Sequence, residues 1–267
     1  MKFFAALANG SIVAVDDQGR SKALGKLPEP TGLLAWGDSV LAASGEGVLA
    51  RFAASGEVAR REDGTRYVGL ARSGELAVAA IFEGALLVFV PSTLADENFV
   101  ELDEPVAALA ATADDAYVSF ANGPLRMITL QSERIQAFYP LKEGAESMAA
   151  VSGRLFTMLD GQIAIHNPLD LDADPLSVEH RRFVALAPAG AFVLAADEQG
   201  VLWRLGADAS AHELGSMGLV PSQLSFRDGQ AVAGTGKQLV VCACDLTANT
   251  LRRQQTVKLA DELVVLG

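Results

Sequence analysis

The hydrophobic pattern of residues 31–66 predicts four short β-strands joined by tight turns. The predicted strands are residues 31–36, 39–44, 48–52 and 57–61, and the last of them is the most polar. Glycine-containing turns separate them, at Gly37-Asp38, Gly45-Glu46-Gly47 and Ala54-Ser55-Gly56. Apolar runs this short, bounded by glycine, are typical of strands and too brief for helices.

The same unit recurs along the whole chain. Each copy contains a turn of the kind that joins two antiparallel strands, and an apolar strand follows it. Asn-Gly and Asp-Gly between apolar runs are strong hairpin signals, because both turn residues must adopt positive φ. Copies at intervals of about 38 residues predict a repeat architecture. The marker turns are Asn9-Gly10, Gly45-Glu46-Gly47, Glu83-Gly84, Asn122-Gly123, Asp160-Gly161, Glu198-Gln199-Gly200 and Gly234-Thr235-Gly236.

The two ends of the chain each hold part of one unit. The N-terminus begins with a second strand, Phe3 to Ala8, and the C-terminus ends after a first strand, Glu262 to Leu266. The pattern therefore predicts an all-β fold, a seven-bladed β-propeller of four-stranded antiparallel blades, its ring closed by the N- and C-terminal strands sharing one blade. We expect a single domain, 1–267, with blades near 261–267 plus 1–28, 30–66, 67–104, 105–143, 146–181, 183–217 and 219–259.

Seven four-stranded units with a shared blade resemble the WD40-like β-propellers, and the resemblance covers the whole chain. The Gly-His and Trp-Asp dipeptides of that family are absent, since the two tryptophans stand in Trp36-Gly37 and Trp203-Arg204. No family binding residue can therefore be assigned to a position here. We expect the blades to be held by apolar packing and strand ladders alone. Both tryptophans interrupt apolar strands, so we expect them to be structural.

Charge and hydropathy narrow the range of partners. A net charge of −12 argues against nucleic acid and against anionic membrane surfaces. No apolar run approaches the ~18 residues needed to span a bilayer, so we expect no membrane insertion.

The opening Met1–Gly10 fits the strand pattern of the first repeat better than an export signal. Cys242 and Cys244, two apart in a predicted strand, have poor geometry for a disulfide, and reduced thiols predict a cytoplasmic protein.

Several segments superficially suggest chemistry. The stretch Gly234–Lys237 resembles the end of a phosphate-binding loop, but it falls where a hairpin turn is due. The acidic stretch Asp170–Asp174 lacks the glycine and the bidentate Glu of a calcium loop. The three histidines, His166, His180 and His212, are scattered. We therefore assign no catalytic residue, no metal ligand and no cofactor.

The function we expect is a non-enzymatic protein–protein interaction platform or scaffold subunit. One alternative is a lactonase-like small-molecule hydrolase or isomerase with a site at the central channel. Another is a structural subunit that uses blade edges in a larger assembly. An enzyme needs carboxylates and a basic group converging in a pocket of roughly 300–1,000 Å³, whereas a platform needs a broad charged or apolar face.

Acidic residues are frequent where each predicted outer strand leads to the next blade. In propellers these connections emerge on the same face as the hairpins between second and third strands, so we expect one acidic face. Ordinary solubilising charge would produce the same pattern. The functional interpretation is a docking surface for a protein partner, which the charge predicts to be basic. The predicted partner-binding residues are Glu62, Asp63, Glu101, Asp103, Glu104, Glu143, Glu146, Glu179 and His180.

Overall fold

A computed structural model of the chain describes residues 2–16, 18–121, 123–132, 134–141, 144–170, 173–178 and 181–267. These residues form 28 β-strands in seven four-stranded sheets. By backbone proximity they divide into a four-sheet unit, made of Lys2–Asp16, Ser21–Ala145 and Val264–Gly267, and a three-sheet unit, made mainly of Glu146–Leu263. Within the described ranges no helix is long and apolar enough to cross a membrane.

The four-sheet unit contains sheets A to D. Sheet A holds β1 (Lys2–Leu7), β2 (Ser11–Asp16), β3 (Ser21–Lys26) and, from the other end of the chain, β28 (Leu263–Leu266). Sheet B holds β4 (Pro30–Trp36), β5 (Ser39–Ser44), β6 (Val48–Ala53) and β7 (Gly56–Glu62). Sheet C holds β8 (Tyr67–Ser73), β9 (Leu76–Ile81), β10 (Ala85–Phe89) and β11 (Asp96–Glu101). Sheet D holds β12 (Val106–Ala111), β13 (Asp115–Phe120), β14 (Gly123–Thr129) and β15 (Arg134–Leu141).

The three-sheet unit contains sheets E to G. Sheet E holds β16 (Ser147–Val151), β17 (Arg154–Leu159), β18 (Gln162–His166) and the very short β19 (Leu176–Ser177). Sheet F holds β20 (Phe183–Ala189), β21 (Phe192–Asp197), β22 (Val201–Leu205) and β23 (Ala211–Ser216). Sheet G holds β24 (Gln223–Arg227), β25 (Gln230–Thr235), β26 (Gln238–Asp245) and β27 (Thr250–Lys258).

The first and last strands of the chain lie side by side in sheet A, in the order β28-β1-β2-β3. The amide of Phe4 donates to the carbonyl of Gly267 (2.9 Å), and the amide of Gly267 donates to the carbonyl of Phe4 (2.8 Å). The prediction that both ends of the chain share one blade is confirmed. The fold class is also confirmed, as a seven-bladed β-propeller of four-stranded antiparallel blades. The single-domain assignment and the blade boundaries stay predictions.

Apolar layers between neighbouring sheets form the core of each unit. In the four-sheet unit, Phe4 and Phe52 pack between sheets A and B, Tyr67 and Phe89 between B and C, and Phe120 between C and D. Similar layers lie between sheets E and F and between F and G. An inner sheet has an apolar layer on each of its two faces, so the side chains on both faces of its inner strands must be apolar. The sequences of these strands are therefore continuous apolar runs. The outer strands, such as β7, are mostly exposed and polar.

The marker hairpins are hydrogen-bonded to the connections that enter and leave their sheet. In sheet B, the Gly45 amide donates to the carbonyl of Glu29 (2.9 Å), and the Asp63 amide donates to the carbonyl of Gly47 (3.1 Å). The hairpin therefore fixes the position of both connecting loops. The same pairs of bonds recur in sheet C, as Phe82 to Arg66 and Leu102 to Gly84, and in sheet F, as Glu198 to Arg182 and Met217 to Gly200.

Glycine is required in these hairpins for two reasons. Gly47 and Gly200 have φ of 83° and 76°, which side chains rarely adopt. A Cβ at Gly47 would also lie 2.4 Å from the Cα of Gly64, and a Cβ at Gly200 would lie 2.2 Å from the carbonyl oxygen of Leu219. Only glycine lets the hairpin and the connecting loop approach this closely.

The expectation that apolar packing and strand ladders alone hold the blades is wrong. In sheet E, the hydroxyl of Thr157 and Nε2 of His166 are hydrogen-bonded at 2.9 Å, and both residues are buried. In sheet F, the buried carboxylate of Asp197 accepts a hydrogen bond from Nε1 of Trp203 (2.8 Å). Buried polar groups need such partners, and each pair links a second strand to the third strand of its sheet.

The two tryptophans have different environments. Trp203 is 6% exposed and belongs to the apolar layer between sheets E and F. Trp36 is half-buried at the end of β4, with the Arg72 guanidinium 4.3 Å from its ring centroid. The burial of the Trp203 ring agrees with the structural role predicted for it, whereas the Trp36 ring is only partly buried.

The two reasons for glycine can be separated by experiment. Gly236 and Gly200 each lie in a hairpin between the second and third strands of a sheet and both have positive φ, but a Cβ at Gly236 would meet nothing within 4 Å. We predict that Gly236→Ala lowers the free energy of unfolding by about 1–2 kcal/mol from backbone conformation alone. Gly200→Ala should cost about 1–3 kcal/mol more, because the hairpin and the loop must move apart. Equal losses in urea denaturation would contradict the close-approach argument.

His166 should make stability depend on pH. Burial lowers the pKa of His166 from 6.5 to about 4. Between these values the unfolded chain binds a proton that the folded protein does not, so the free energy of unfolding falls as pH falls. The free energy of unfolding of the wild type should fall between pH 7 and pH 4, and we predict that His166→Gln makes this fall smaller by about 3 kcal/mol. The control is His212→Gln, an exposed position on β23. Identical pH profiles of the two variants in urea denaturation would refute the prediction.

Candidate functional site

One edge of the four-sheet unit gathers the connecting loops and marker hairpins of sheets B and C. The hydrogen bonds from Gly45 to Glu29, Asp63 to Gly47, Phe82 to Arg66 and Leu102 to Gly84 run in sequence along this edge. The loops that carry the predicted acidic residues of sheets B and C are therefore joined along one strip of backbone. We call this strip the acidic edge, and its exposed carboxylates are those of Glu29, Glu46, Glu62, Glu83, Glu101 and Asp103.

Two of the predicted carboxylates on the acidic edge already have partners in the protein. Oδ2 of Asp63 accepts a hydrogen bond from the Tyr67 hydroxyl (2.6 Å) and forms an ion pair with Nε of Arg61 (2.8 Å), and Oδ1 accepts a hydrogen bond from the Thr65 amide. Burial alone would raise the pKa of Asp63, but these hydrogen bonds and the charge of Arg61 outweigh it and lower the pKa. The Asp63 carboxylate is therefore engaged in contacts within the folded chain, which compete with contacts to a partner.

Glu104 is the second carboxylate with a partner. Its Oε1 lies 2.8 Å from Nη2 of Arg126, whose side chain is only 15% exposed. The Arg126 guanidinium also stacks on the Phe120 ring, 4.6 Å from the ring centroid. Neutralised by this arginine, Glu104 adds little to the negative potential of the edge. Glu62, by contrast, is 62% exposed, and its ion pair with Arg60 is a surface contact.

An aromatic ring lies in the middle of the acidic edge. Phe82 stands in the hairpin of sheet C, 37% exposed, and the Arg66 guanidinium lies 4.2 Å from its ring centroid. Aromatic residues and arginine are the side chains that most often anchor protein interfaces. The charge pattern of the sequence did not point to this pair. The signal that could have found it is an aromatic residue placed in a polar turn, beside Glu83-Gly84.

The other predicted partner-binding residues are not part of this edge. Glu146 is exposed, and it belongs to the three-sheet unit. Glu143, Glu179 and His180 lie outside the described residues. The structure thus brings Glu62, Asp63, Glu101, Asp103 and Glu104 together on one unit. Their role in binding stays a prediction.

The segments that superficially suggested chemistry have structural explanations. Gly236 and Lys237 form the turn of the hairpin between β25 and β26, in which Thr235 pairs with Gln238. Cys242 and Cys244 are free and buried on β26, and burial raises the pKa of their thiols to about 11 and about 12. Within the described ranges, no group of three or more His, Cys, Asp or Glu side chains is placed to hold a metal ion.

Comparisons with known proteins show the fold of the chain. No protein-family model and no curated protein matches it. The WD40 repeats of RRP9 match with a TM-score of 0.70 at 11% identity, covering 96% of this chain and 86% of that one. U3-55K matches with a TM-score of 0.68 at 10% identity, covering 86% and 82%. Apo AztD from Citrobacter koseri matches with a TM-score of 0.66 at 13% identity, covering 100% and 97%.

These similarities confirm the WD40-like propeller architecture that the repeats predict. Identities of 10% to 13% show the fold alone. Because one fold supports many functions, the function must be argued from the surface of this chain.

The distinction between structural and available carboxylates on the acidic edge can be measured. We predict that Asp63→Ala lowers the free energy of unfolding by about 1–3 kcal/mol, because it leaves the hydroxyl of the buried Tyr67 without its acceptor. Glu62→Ala, one residue earlier and exposed, should change it by less than about 1 kcal/mol. Urea denaturation of both variants provides the test, and equal effects would show that Asp63 is not structurally engaged.

Proposed function

We propose that the protein is a protein-interaction module and that the acidic edge of its four-sheet unit is the docking surface for a basic protein partner. The observation that carries the proposal is the row of exposed carboxylates held in place by hairpin hydrogen bonds, with the Phe82–Arg66 stack among them. The WD40-like architecture supports it, because loops on a rigid scaffold are where binding residues concentrate.

Electrostatics and apolar contact have separate tasks in this proposal. The exposed carboxylates attract a basic partner over distances of about a Debye length, ~10 Å at 0.1 M salt, and orient it before contact. Arg60, Arg61 and Arg126 pair with Glu62, Asp63 and Glu104, and Arg66 lies on Phe82, so arginines offset part of the negative charge of this edge. Phe82 then supplies an aromatic anchor at the centre, where a partner side chain would exclude water.

Charge reversal on the acidic edge tests the proposal. The edge variant carries Glu46→Lys, Glu62→Lys, Glu83→Lys and Asp103→Lys. The control variant carries Asp38→Lys, Glu75→Lys, Glu97→Lys and Asp114→Lys, which are also exposed in the four-sheet unit but lie at the opposite ends of the strands. Both variants undergo the same change in net charge, so a difference between them reports position and not overall charge.

The probe is a panel of lysine- and arginine-rich peptides, followed by any protein that the immobilised wild-type chain captures from a lysate of its source organism. We expect the edge variant to associate at least ~10-fold more slowly at low salt, and the control variant within about twofold of the wild type. Wild-type association should also weaken as salt rises. Equal loss in both variants, or no loss in either, would overturn the proposal.

A further inference from the structure

The three-sheet unit contains a polar cleft next to the hairpins of sheets E and F. Its volume is 400 Å³, and its lining residues are Gln162, Arg181, Arg182, Glu198 and Gln199. Pockets that bind small molecules generally occupy about 300–1,000 Å³. Two neighbouring arginines in a chain with a net charge of −12 make this cleft chemically distinct from the acidic edge.

Hydrogen bonds fix the backbone around the cleft. The Phe183 amide donates to the carbonyl of Gly161 (2.8 Å), and the Glu198 amide donates to the carbonyl of Arg182 (3.1 Å). Arg181 and Arg182 therefore stand on a segment that is bonded to the hairpins of both sheets. A cleft with such a fixed frame exists before any ligand arrives, and little ordering is needed on binding.

Arg181 is oriented by a chain of buried contacts. The carboxylate of Asp197 is 3% exposed, accepts from the Gln199 and Val201 amides (3.0 and 2.9 Å), and fixes the Trp203 indole. The guanidinium of Arg181 lies over that ring, 3.5 Å from its centroid. Stacking holds a guanidinium flat on the ring and leaves its in-plane N–H groups free to donate.

The donors of Arg181 have no acceptor in the described protein. The Arg181 guanidinium is exposed and contacts Trp203, but it makes no hydrogen bond or ion pair with any residue that the structure describes. Arg182 donates from Nη2 to the carbonyl of Asp160 at 3.3 Å, which leaves its other donors available. An exposed arginine on an ordinary surface would move freely, whereas this one is held by a buried ring.

We propose that this cleft binds a small organic oxyanion, a carboxylate or a phosphate, through the guanidinium groups of Arg181 and Arg182. The planar fork of arginine matches either group with two parallel hydrogen bonds. Glu198, whose Oε1 accepts from the Gln199 side chain at 3.1 Å, provides an acceptor beside the arginines. It selects a ligand that carries a hydroxyl or amine next to its anionic group.

The fluorescence of Trp203 should report binding directly, because an oxyanion that pairs with Arg181 alters the charge next to the indole ring. In a Trp36→Phe variant, Trp203 is the remaining tryptophan. The probes are malate, succinate (which lacks the hydroxyl group) and inorganic phosphate, each compared with sodium chloride at equal ionic strength. We expect a saturable change in Trp203 fluorescence with malate or phosphate and none with chloride.

Arginine variants connect the signal to the cleft. Arg181→Gln should weaken binding by at least ~10-fold, since it removes a charge-assisted pair of hydrogen bonds. Arg181→Lys should weaken it too, because lysine cannot bind in the bidentate manner. The matched control is a Trp203→Phe variant, in which Trp36 is the remaining tryptophan. Trp36 also carries a stacked arginine, Arg72, but that arginine already donates to the carbonyl of Gly74 (2.9 Å). That variant should give no saturable signal.

Calorimetric titration of the unsubstituted chain, with Arg182→Gln as its comparison, repeats the test without altering either tryptophan. Binding of malate above succinate would support the role assigned to Glu198, and equal binding would overturn that role alone. An absence of saturable binding for all three probes would overturn the proposal. Unchanged affinity in Arg181→Gln would overturn it as well.

Discussion

The close approach of marker hairpins, such as those at Gly47 and Gly200, to the loops beside them is the constraint on which the other features depend. At Gly47 and Gly200 there is no room for a Cβ, because the backbone of Gly64 or the carbonyl of Leu219 occupies its place. The approach permits amide–carbonyl hydrogen bonds between hairpin and loop, such as those from Asp63 to Gly47 and from Met217 to Gly200. Loops that would otherwise be bonded to water become extensions of the sheet.

This constraint separates the scaffold from the chemistry that it carries. In the four-sheet unit the held loops carry carboxylates and the Phe82–Arg66 stack. In the three-sheet unit an equivalent loop carries Arg181 and Arg182, one of them stacked on a buried tryptophan. The backbone bonds involve no side chain, so exposed residues on these loops, such as Glu83 and Asp103, can change at little cost to the sheets. One fold can therefore present an acidic surface and a cationic cleft.

The sequence predicted the architecture because turns and apolar runs are local signals. Asp160-Gly161 and similar turns require positive φ wherever they occur, and strand lengths follow from the spacing between them. The site was less predictable because its contacts join residues that no periodicity relates. A charge count cannot show that Asp63 is engaged by Tyr67 while Glu62 is exposed. The pairing of Trp203 with Asp197 was missed because the two residues lie on neighbouring strands and form no Trp-Asp dipeptide in the sequence.

Hydrogen exchange of the loop amides tests the constraint most directly. The amides of Asp63 and Leu102 lie outside the strands, yet they donate to the carbonyls of Gly47 (3.1 Å) and Gly84 (2.8 Å). If the hairpins hold the loops, these two amides should exchange as slowly as that of Val40 within β5, measured by NMR on the intact chain. Exchange at the rate of unstructured peptide would contradict the account, because the loops of the acidic edge would then have no fixed position.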